Sequence, residues 1–82
     1  MVDIEYHPSF DSFRFKLKDS NQKEKVKKLM RKIIDDPEIG KPMRYERKGT
    51  RELYIKPFRI AYSYSKDENK LIFLDIYHKD KQ

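Results

Sequence analysis

Alternating apolar and polar residues predict strands near both ends of the chain. Val2 to Tyr6 alternates Val, Ile and Tyr with two acidic residues, which is typical of a half-buried strand. Segments 51–55 and 58–65 also alternate and are joined by a short link that contains a proline. After a hairpin turn at "KDENK", residues 70–78 are apolar on both faces and predict a strand inside a sheet.

A short helix is predicted after the first strand. Pro8 suits a helix start, because proline fits the first helical position. Phe10, Phe13 and Leu17 then recur at helical spacing, whereas Phe15 lies off that stripe. The polar segment "KDSNQ", residues 18–22, predicts a break before the next element.

The strongest helical pattern runs from Gln22 to Asp36. Five apolar residues share one face of this segment: Val26, Leu29, Met30, Ile33 and Ile34. The other face consists almost entirely of Lys, Arg and Glu. Pro37 ends the helix, and "DDPEIGKP" predicts a turn-rich connection.

The order of elements predicts an α+β fold. A strand and two helices precede three or four consecutive strands with short links, which favours an antiparallel meander. The two helices are expected to pack as a hairpin on one face of this small antiparallel sheet. The 82 residues predict a single domain, 1–82, since so short a chain has no core to divide.

The composition indicates which kinds of partner and site the chain can have. Twenty Lys and Arg against 14 Asp and Glu give a formal charge of +6, which favours an anionic partner such as nucleic acid or an acidic protein. The alternative is a solvated, charged surface of the kind found in heat-adapted proteins. The chain has no cysteine, which excludes disulfides and thiolate metal sites. No apolar run predicts a membrane span or a signal peptide, so we expect a cytoplasmic protein.

Three motifs resemble one known family. "IEYHPSF", "IIDDPEIGKPMRY" and "FRIAYSYSKDENKLIFLDIYHKD" occur in this order over nearly the whole chain. The series resembles the RelE/ParE superfamily of small toxins from type II toxin-antitoxin pairs. The resemblance implies a RelE-like fold whose basic open face enters the ribosomal A site, where it cuts mRNA without a metal.

Two arguments predict that Arg59 belongs to the functional site. Phe58, Ile60 and Tyr62 alternate with it and belong to the expected core, so Arg59 should emerge on the open face. The resemblance implies that this arginine contacts a phosphate. Small residues beside it, Ala61 among them, would leave room for a nucleotide. The alternative role for Arg59 is a salt bridge to Glu52 or Asp75.

His78 and Lys79 resemble the basic pair that follows the last strand in the family. Histidine titrates near neutral pH and suits an acid or a base, and Lys79 suits a phosphate contact. Alternatively, His78 is a partly buried residue at a strand end, since it shares its parity with Ile72, Leu74 and Ile76. His7, before Pro8, is expected to have a structural role.

Glu52 and Tyr54 depart from the family pattern. They should share the open face, where RelE-like members often carry basic residues. Either Glu52 is a general base and Tyr54 stacks or donates a proton, or the nuclease chemistry has been lost. Between the basic pair and Gln82 there is also no match to the tyrosine that many relatives carry just after that pair.

A basic loop around "RKGTR" is a candidate for binding phosphates, although an ordinary solvated turn would have the same composition. The predicted RNA-binding residues are Arg44, Lys48, Arg51, Lys56 and Lys81. The sequence contains no Walker loop, dinucleotide turn or metal-ligand spacing, so neither a cofactor nor a metal is expected.

The sequence therefore predicts a toxin that cleaves mRNA on the ribosome. Its partners would be mRNA, the ribosome and an acidic, helical antitoxin. Two alternatives remain. One is a ParE-like toxin that poisons DNA gyrase, and the other is a non-catalytic module that binds RNA or protein.

Overall fold

The structure, a computed structural model, describes residues 2–44 and 49–78, which form a five-stranded sheet and two helices. The elements in chain order are β1 (Asp3–Tyr6), α1 (Pro8–Lys16), α2 (Ser20–Asp35), β2 (Lys41–Pro42), β3 (Thr50–Ile55), β4 (Phe58–Ser65) and β5 (Lys70–His78). The predicted α+β class is confirmed, as is the order of strand, helical pair and strands.

The sheet has the strand order β1-β5-β4-β3-β2. Strands β2 to β5 pair in the antiparallel sense, as the short links between them predict. The first strand instead pairs in parallel with β5, so the sheet is mixed. The intervening helices provide the long connection that a parallel pair needs.

Both helices begin at residues that cap them. His7 precedes α1, and its Nδ1 accepts a hydrogen bond of 3.1 Å from the Ser9 backbone N–H, which confirms its structural role. Asp19 Oδ1 accepts from the backbone N–H groups of Asn21 and Gln22 at 2.8 and 3.1 Å. Because Asp19 satisfies these unpaired donors, α2 starts at Ser20, two residues before the predicted start.

The core lies between the helical pair and one face of the sheet. The fully or almost fully buried apolar side chains are Phe10, Val26, Leu29, Met30, Ile33, Phe58, Ile60, Tyr62, Leu71, Phe73 and Ile76. The predicted stripe on α2 is confirmed, with Ile34 partly buried at its margin. Phe15 is 72% exposed, in agreement with its position off the α1 stripe.

A bulge in β5 changes which side chains face the helices. Tyr62 pairs with Phe73, but Ala61 pairs with Asp75, so Leu74 is an extra residue on β5. Before the bulge the buried residue is Phe73, and after it the buried residue is Ile76. The alternation within β5 is therefore inverted at its centre, which a uniform two-residue period does not predict.

The alternation in β4 allows a paired test of stability. Ile60 is fully buried, so Ile60→Ala should lower the free energy of unfolding by about 2–5 kcal/mol through lost burial and a cavity. Ser63→Ala, on the open face of the same strand, should change it by no more than about 0.5 kcal/mol. Urea denaturation of both variants measures the difference. Equal effects would show that the two faces of β4 are assigned wrongly.

Candidate functional site

Four polar side chains meet on the face of the sheet opposite the helices. Tyr54 on β3 is directly opposite Arg59 on β4, and Arg59 is directly opposite Tyr77 on β5. Glu52 lies one alternation before Tyr54 and is opposite Ala61. Since the helix-covered face takes the residues between them, the pleat directs all four to the open face.

An ion pair joins two of these side chains. Arg59 Nη1 lies 3.5 Å from Glu52 Oε1, and the Tyr77 hydroxyl donates a hydrogen bond of 2.8 Å to Glu52 Oε2. The Glu52 side chain is only 8% exposed, whereas that of Arg59 is 29% exposed. Both carboxylate oxygens therefore have partners, as a carboxylate largely removed from water requires. Of the two acids considered for Arg59, Glu52 is the one that pairs with it.

Aromatic rings flank the arginine. The guanidinium carbon of Arg59 lies 5.7 Å from the centroid of the Tyr54 ring and 6.0 Å from that of Tyr77. These distances permit cation–π attraction, which restrains the guanidinium between the rings. Tyr54 is 43% exposed, so it also presents an accessible ring next to the cation.

A groove of about 760 Å³ runs beside this cluster. Glu52, Leu53, Tyr54 and Arg59 line it from β3 and β4. The other lining residues come from β2 and its flanking segments: Ile39, Lys41, Pro42, Met43 and Arg44. Three cationic side chains therefore border one concave surface, which favours an anionic ligand.

A second, smaller cavity lies over the small residue beside Arg59. It has a volume of about 190 Å³, and Ala61 and Tyr77 are among the residues that line it. Arg59 is not among the residues that line this cavity, so the expected room for a nucleotide beside Arg59 stays a prediction. Glu52 is among the residues that line both this cavity and the larger groove.

The bulge in β5 separates His78 from the groove. His78 pairs with Phe58 across β4 and β5, and their rings meet edge to face at a centroid distance of 5.7 Å. Phe58 is in the core, so half-buried His78 lies on the helix-covered face. The structure does not bring His78 to Arg59. The alternative that treats His78 as a partly buried strand-end residue matches this placement.

Arg51 also lies away from the groove. It is directly opposite buried Tyr62, and its Nη1 donates to the backbone carbonyls of Glu38 and Gly40 at 3.0 and 2.8 Å. These contacts hold the connection after α2, so Arg51 has a structural role in the free protein, and its contact with RNA stays a prediction. Arg51 comes directly before Glu52 on β3, and successive side chains of a strand point to opposite faces, so Arg51 lies on the opposite face from Glu52.

The other predicted basic residues fall into three groups. Arg44 lines the groove, and its contact with a phosphate stays a prediction. Lys56 is exposed in the turn between β3 and β4, next to the arginine strand but outside the residues that line the groove. Lys48, Lys79 and Lys81 lie outside the described residues.

Comparison with known families identifies the chain. The sequence model of a family described as the ParE toxin of the type II toxin-antitoxin system parDE matches residues 3–82. The chain belongs to the ParE toxin family. The resemblance to the RelE/ParE superfamily is therefore confirmed, and the protein is a type II toxin.

Solved structures share the fold of this toxin. The RelBE2 toxin-antitoxin complex from Mycobacterium tuberculosis matches with a TM-score of 0.79 and 19% identity, covering 94% of the toxin and 96% of that chain. The isolated RelE toxin of E. coli gives 0.78 and 13%, covering 95% and 84%. YafQ from E. coli strain BL21(DE3) gives 0.72 and 23%, covering 99% and 97%. At these identities the likeness establishes the fold. No curated protein sequence matches the toxin.

Two further properties concern the described parts of the toxin. Within residues 2–44 and 49–78, no group of three or more His, Cys, Asp or Glu side chains could hold a metal ion. No helix in the same ranges is long and apolar enough to cross a membrane.

Tyr77 is the member of the cluster that sequence reasoning missed. Continuing the register of the β4–β5 hairpin without interruption from Ser65 and Lys70 would place Ile76 opposite Arg59. The bulge moves Tyr77 into that place instead. The sequence contained one signal of this bulge: an uninterrupted register would direct apolar Ile76 to the open face beside an arginine, where an apolar side chain is unfavourable.

The toxin's ion pair should behave as a coupled unit. Arg59→Ala leaves the nearly buried Glu52 carboxylate without its cation, which should lower the free energy of unfolding by about 1–3 kcal/mol. In a Glu52→Gln background the same change should cost much less, because no buried charge remains. Urea denaturation of the two single variants and the double variant measures this coupling. Strictly additive effects would show that the pair contributes no interaction energy.

Proposed function

We propose that the toxin is an endoribonuclease that cleaves mRNA on the ribosome, with the open-face groove as its site. The observation that carries the proposal is the placement of Arg59 and Glu52 in one groove with the cationic side chains of Lys41 and Arg44. In RNA cleavage through the 2′-hydroxyl, a carboxylate can act as the base and a cation can stabilise the charge of the phosphorane. The RelE and YafQ structures support the proposal through their shared fold.

The chemistry assigns a role to each side chain. The 2′-oxygen attacks the adjacent phosphorus, the 2′-proton passes to a base, and the bond to the 5′-oxygen breaks as that oxygen takes a proton from solvent water in the open groove. Glu52 would take the 2′-proton, and Arg59 would stabilise the charge of the phosphorane. A guanidinium has five N–H donors, so Arg59 can contact Glu52 and still donate to a phosphate.

Tyr77 and Tyr54 would assist this chemistry in different ways. The Tyr77 hydroxyl donates to Glu52 Oε2 and holds the carboxylate in place, and Oε1, which lies 3.5 Å from Arg59 Nη1, would accept the proton. The exposed ring of Tyr54 lies next to Arg59 and could stack on a base while the phosphate contacts the guanidinium. The Lys41 and Arg44 side chains would hold the flanking phosphates along the groove.

A toxin that binds its target without cutting RNA is the second candidate. The family match to ParE favours it, and so does the engagement of both Glu52 oxygens in the free protein. In this case the groove would bind an anionic surface, and a ParE-like toxin would poison DNA gyrase. A non-catalytic module that binds RNA or protein would use the same surface without arresting growth.

Primer extension on mRNA from expressing cells tests the first candidate. Arg59→Ala should reduce cleavage about a hundredfold, in line with the loss of one preorganised donor to the transition state. Glu52→Gln preserves shape and should also reduce cleavage strongly, because the amide cannot accept the proton. The control Ser63→Ala changes the same face of β4 outside the residues that line the groove and should cleave at the wild-type rate.

Two results would contradict cleavage of mRNA in the open-face groove. If both folded variants cleave mRNA as well as the wild type, the groove is not the catalytic site. If the wild-type toxin arrests growth with intact mRNA and inhibits supercoiling by DNA gyrase, the second candidate replaces the first. Circular dichroism melts of every variant separate lost chemistry from lost folding.

We also propose that the toxin's antitoxin docks on the helical pair. A groove of about 420 Å³ between α1 and α2 is lined by Phe15, Leu17 and Met30, with basic side chains that include Lys23 and Lys27. This combination suits an acidic amphipathic helix, which can bury its apolar face and pair its charges with the rim. The RelBE2 and RelBE structures, both toxin-antitoxin complexes, support an antitoxin as the partner.

Phe15 provides the test of this surface. It is 72% exposed, so Phe15→Ala should preserve folding, while loss of a central aromatic contact should weaken antitoxin binding by about tenfold or more. The measurement is calorimetric titration with the cognate antitoxin, together with rescue of growth on co-expression. Lys16→Ala, at the exposed neighbouring position, is the control. Unchanged affinity for Phe15→Ala would remove the helical groove from the interface.

A further inference from the structure

The connection between α2 and β2 is tied to the core by a buried tyrosine. The Tyr62 hydroxyl donates to the Pro37 carbonyl and accepts from the Gly40 backbone N–H, both at 2.8 Å. Tyr62 is fully buried on the helix-covered face of β4. Burial raises the pKa of the Tyr62 hydroxyl, which therefore stays protonated and able to donate at neutral pH.

Arg51 holds the same connection from the neighbouring strand. It is the cross-strand partner of Tyr62, and its Nη1 contacts the carbonyls of Glu38 and Gly40. The Gly40 backbone is thus held at both its N–H and its carbonyl. A Cβ at Gly40 would lie 2.5 Å from the Tyr62 hydroxyl oxygen and 2.8 Å from its Cε1, so this close approach requires glycine.

The contacts of Tyr62 and Arg51 with the Pro37–Gly40 backbone form a clamp. The basic wall of the groove, residues 41–44, begins directly after this clamp. The residue after Gly40 is Lys41, which pairs with Glu52 at the edge of the sheet. The chain then continues through Met43, whose backbone N–H donates to the Thr50 carbonyl at 3.0 Å, to Arg44. Lys41 lies in a strand of only two residues, and Arg44 lies two residues beyond the end of that strand. Their position relative to Arg59 therefore depends on where Gly40 is held.

We propose that Tyr62 and Arg51 are positioning residues that fix the basic wall of the groove opposite Arg59. They lie on the helix-covered face and act through the Pro37–Gly40 backbone. This part rests on the proposed function, because the ligand that the wall would hold is the phosphate backbone of single-stranded RNA. The clamp itself is a property of the free toxin and can be measured without RNA.

Tyr62→Phe removes the hydroxyl and keeps the ring in the core. Amide hydrogen exchange of the free variant should be about tenfold faster in residues 38–44, because each lost hydrogen bond restrains that backbone. The matched control is Tyr64→Phe, which deletes a hydroxyl two residues along the same face of β4. Exchange in 38–44 should be unchanged in the control. An unchanged rate in Tyr62→Phe would overturn the clamp.

Arg51→Lys separates positioning from direct contact. It keeps the positive charge but cannot reproduce the planar fork that contacts two carbonyls. A clamp predicts faster exchange in 38–44 without RNA, whereas a direct RNA contact predicts unchanged exchange. The same variant also serves if Tyr62→Phe should fail to fold.

RNA binding tests the consequence for the groove. The probe is a fluorescein-labelled, single-stranded 12-nucleotide RNA titrated with the toxin in low salt and followed by anisotropy. Tyr62→Phe should weaken binding about tenfold, and Tyr64→Phe should bind as the wild type does. Faster exchange with unchanged RNA affinity would overturn the positioning role. Failure of the wild-type toxin to bind the probe or ribosomes would overturn RNA as the ligand, while the exchange result would still decide whether the clamp exists.

Discussion

The pleat of β4 is the constraint on which the fold and the site both depend. Phe58, Ile60 and Tyr62 are buried beneath the helices, so the residues between them must face the other way. The same strand therefore supplies the centre of the core and the arginine of the groove. A change of register in β4 would move an arginine into the core and core side chains into solvent, so hydrophobic burial also holds Arg59 in place.

A buried carboxylate distinguishes this groove from a simple basic surface. Glu52 is nearly inaccessible; the Arg59 guanidinium balances its charge, and the Tyr77 hydroxyl donates a hydrogen bond to it. Such an arrangement keeps the guanidinium oriented between two rings in the absence of a ligand. A phosphate bound at Arg59 would therefore lie beside an existing negative charge. Contacts of the same ligand with Lys41 and Arg44 would offset the resulting repulsion.

The two faces of the sheet are linked through the connection after α2. Tyr62 and Arg51 are on the covered face, yet the backbone that they hold continues into the wall of the open-face groove. Packing of the core and geometry of the groove are therefore not independent. A substitution far from Arg59, on the other side of the sheet, can alter the groove without touching any residue that lines it.

Local patterns in the sequence were sufficient to predict the helices and strands, the buried stripe of α2 and the face of β4 on which Arg59 lies. Each of these features depends on a period of two or 3.6 residues within one segment. Local patterns were also sufficient to place Glu52 and Tyr54 beside Arg59, since β3 alternates without interruption. The tertiary structure alone decided the parallel pairing of β1 and the positions of Tyr77 and His78. A single extra residue in β5 exchanges the faces of the residues that follow, and such a bulge arises from packing between strands, which no periodicity within one segment records.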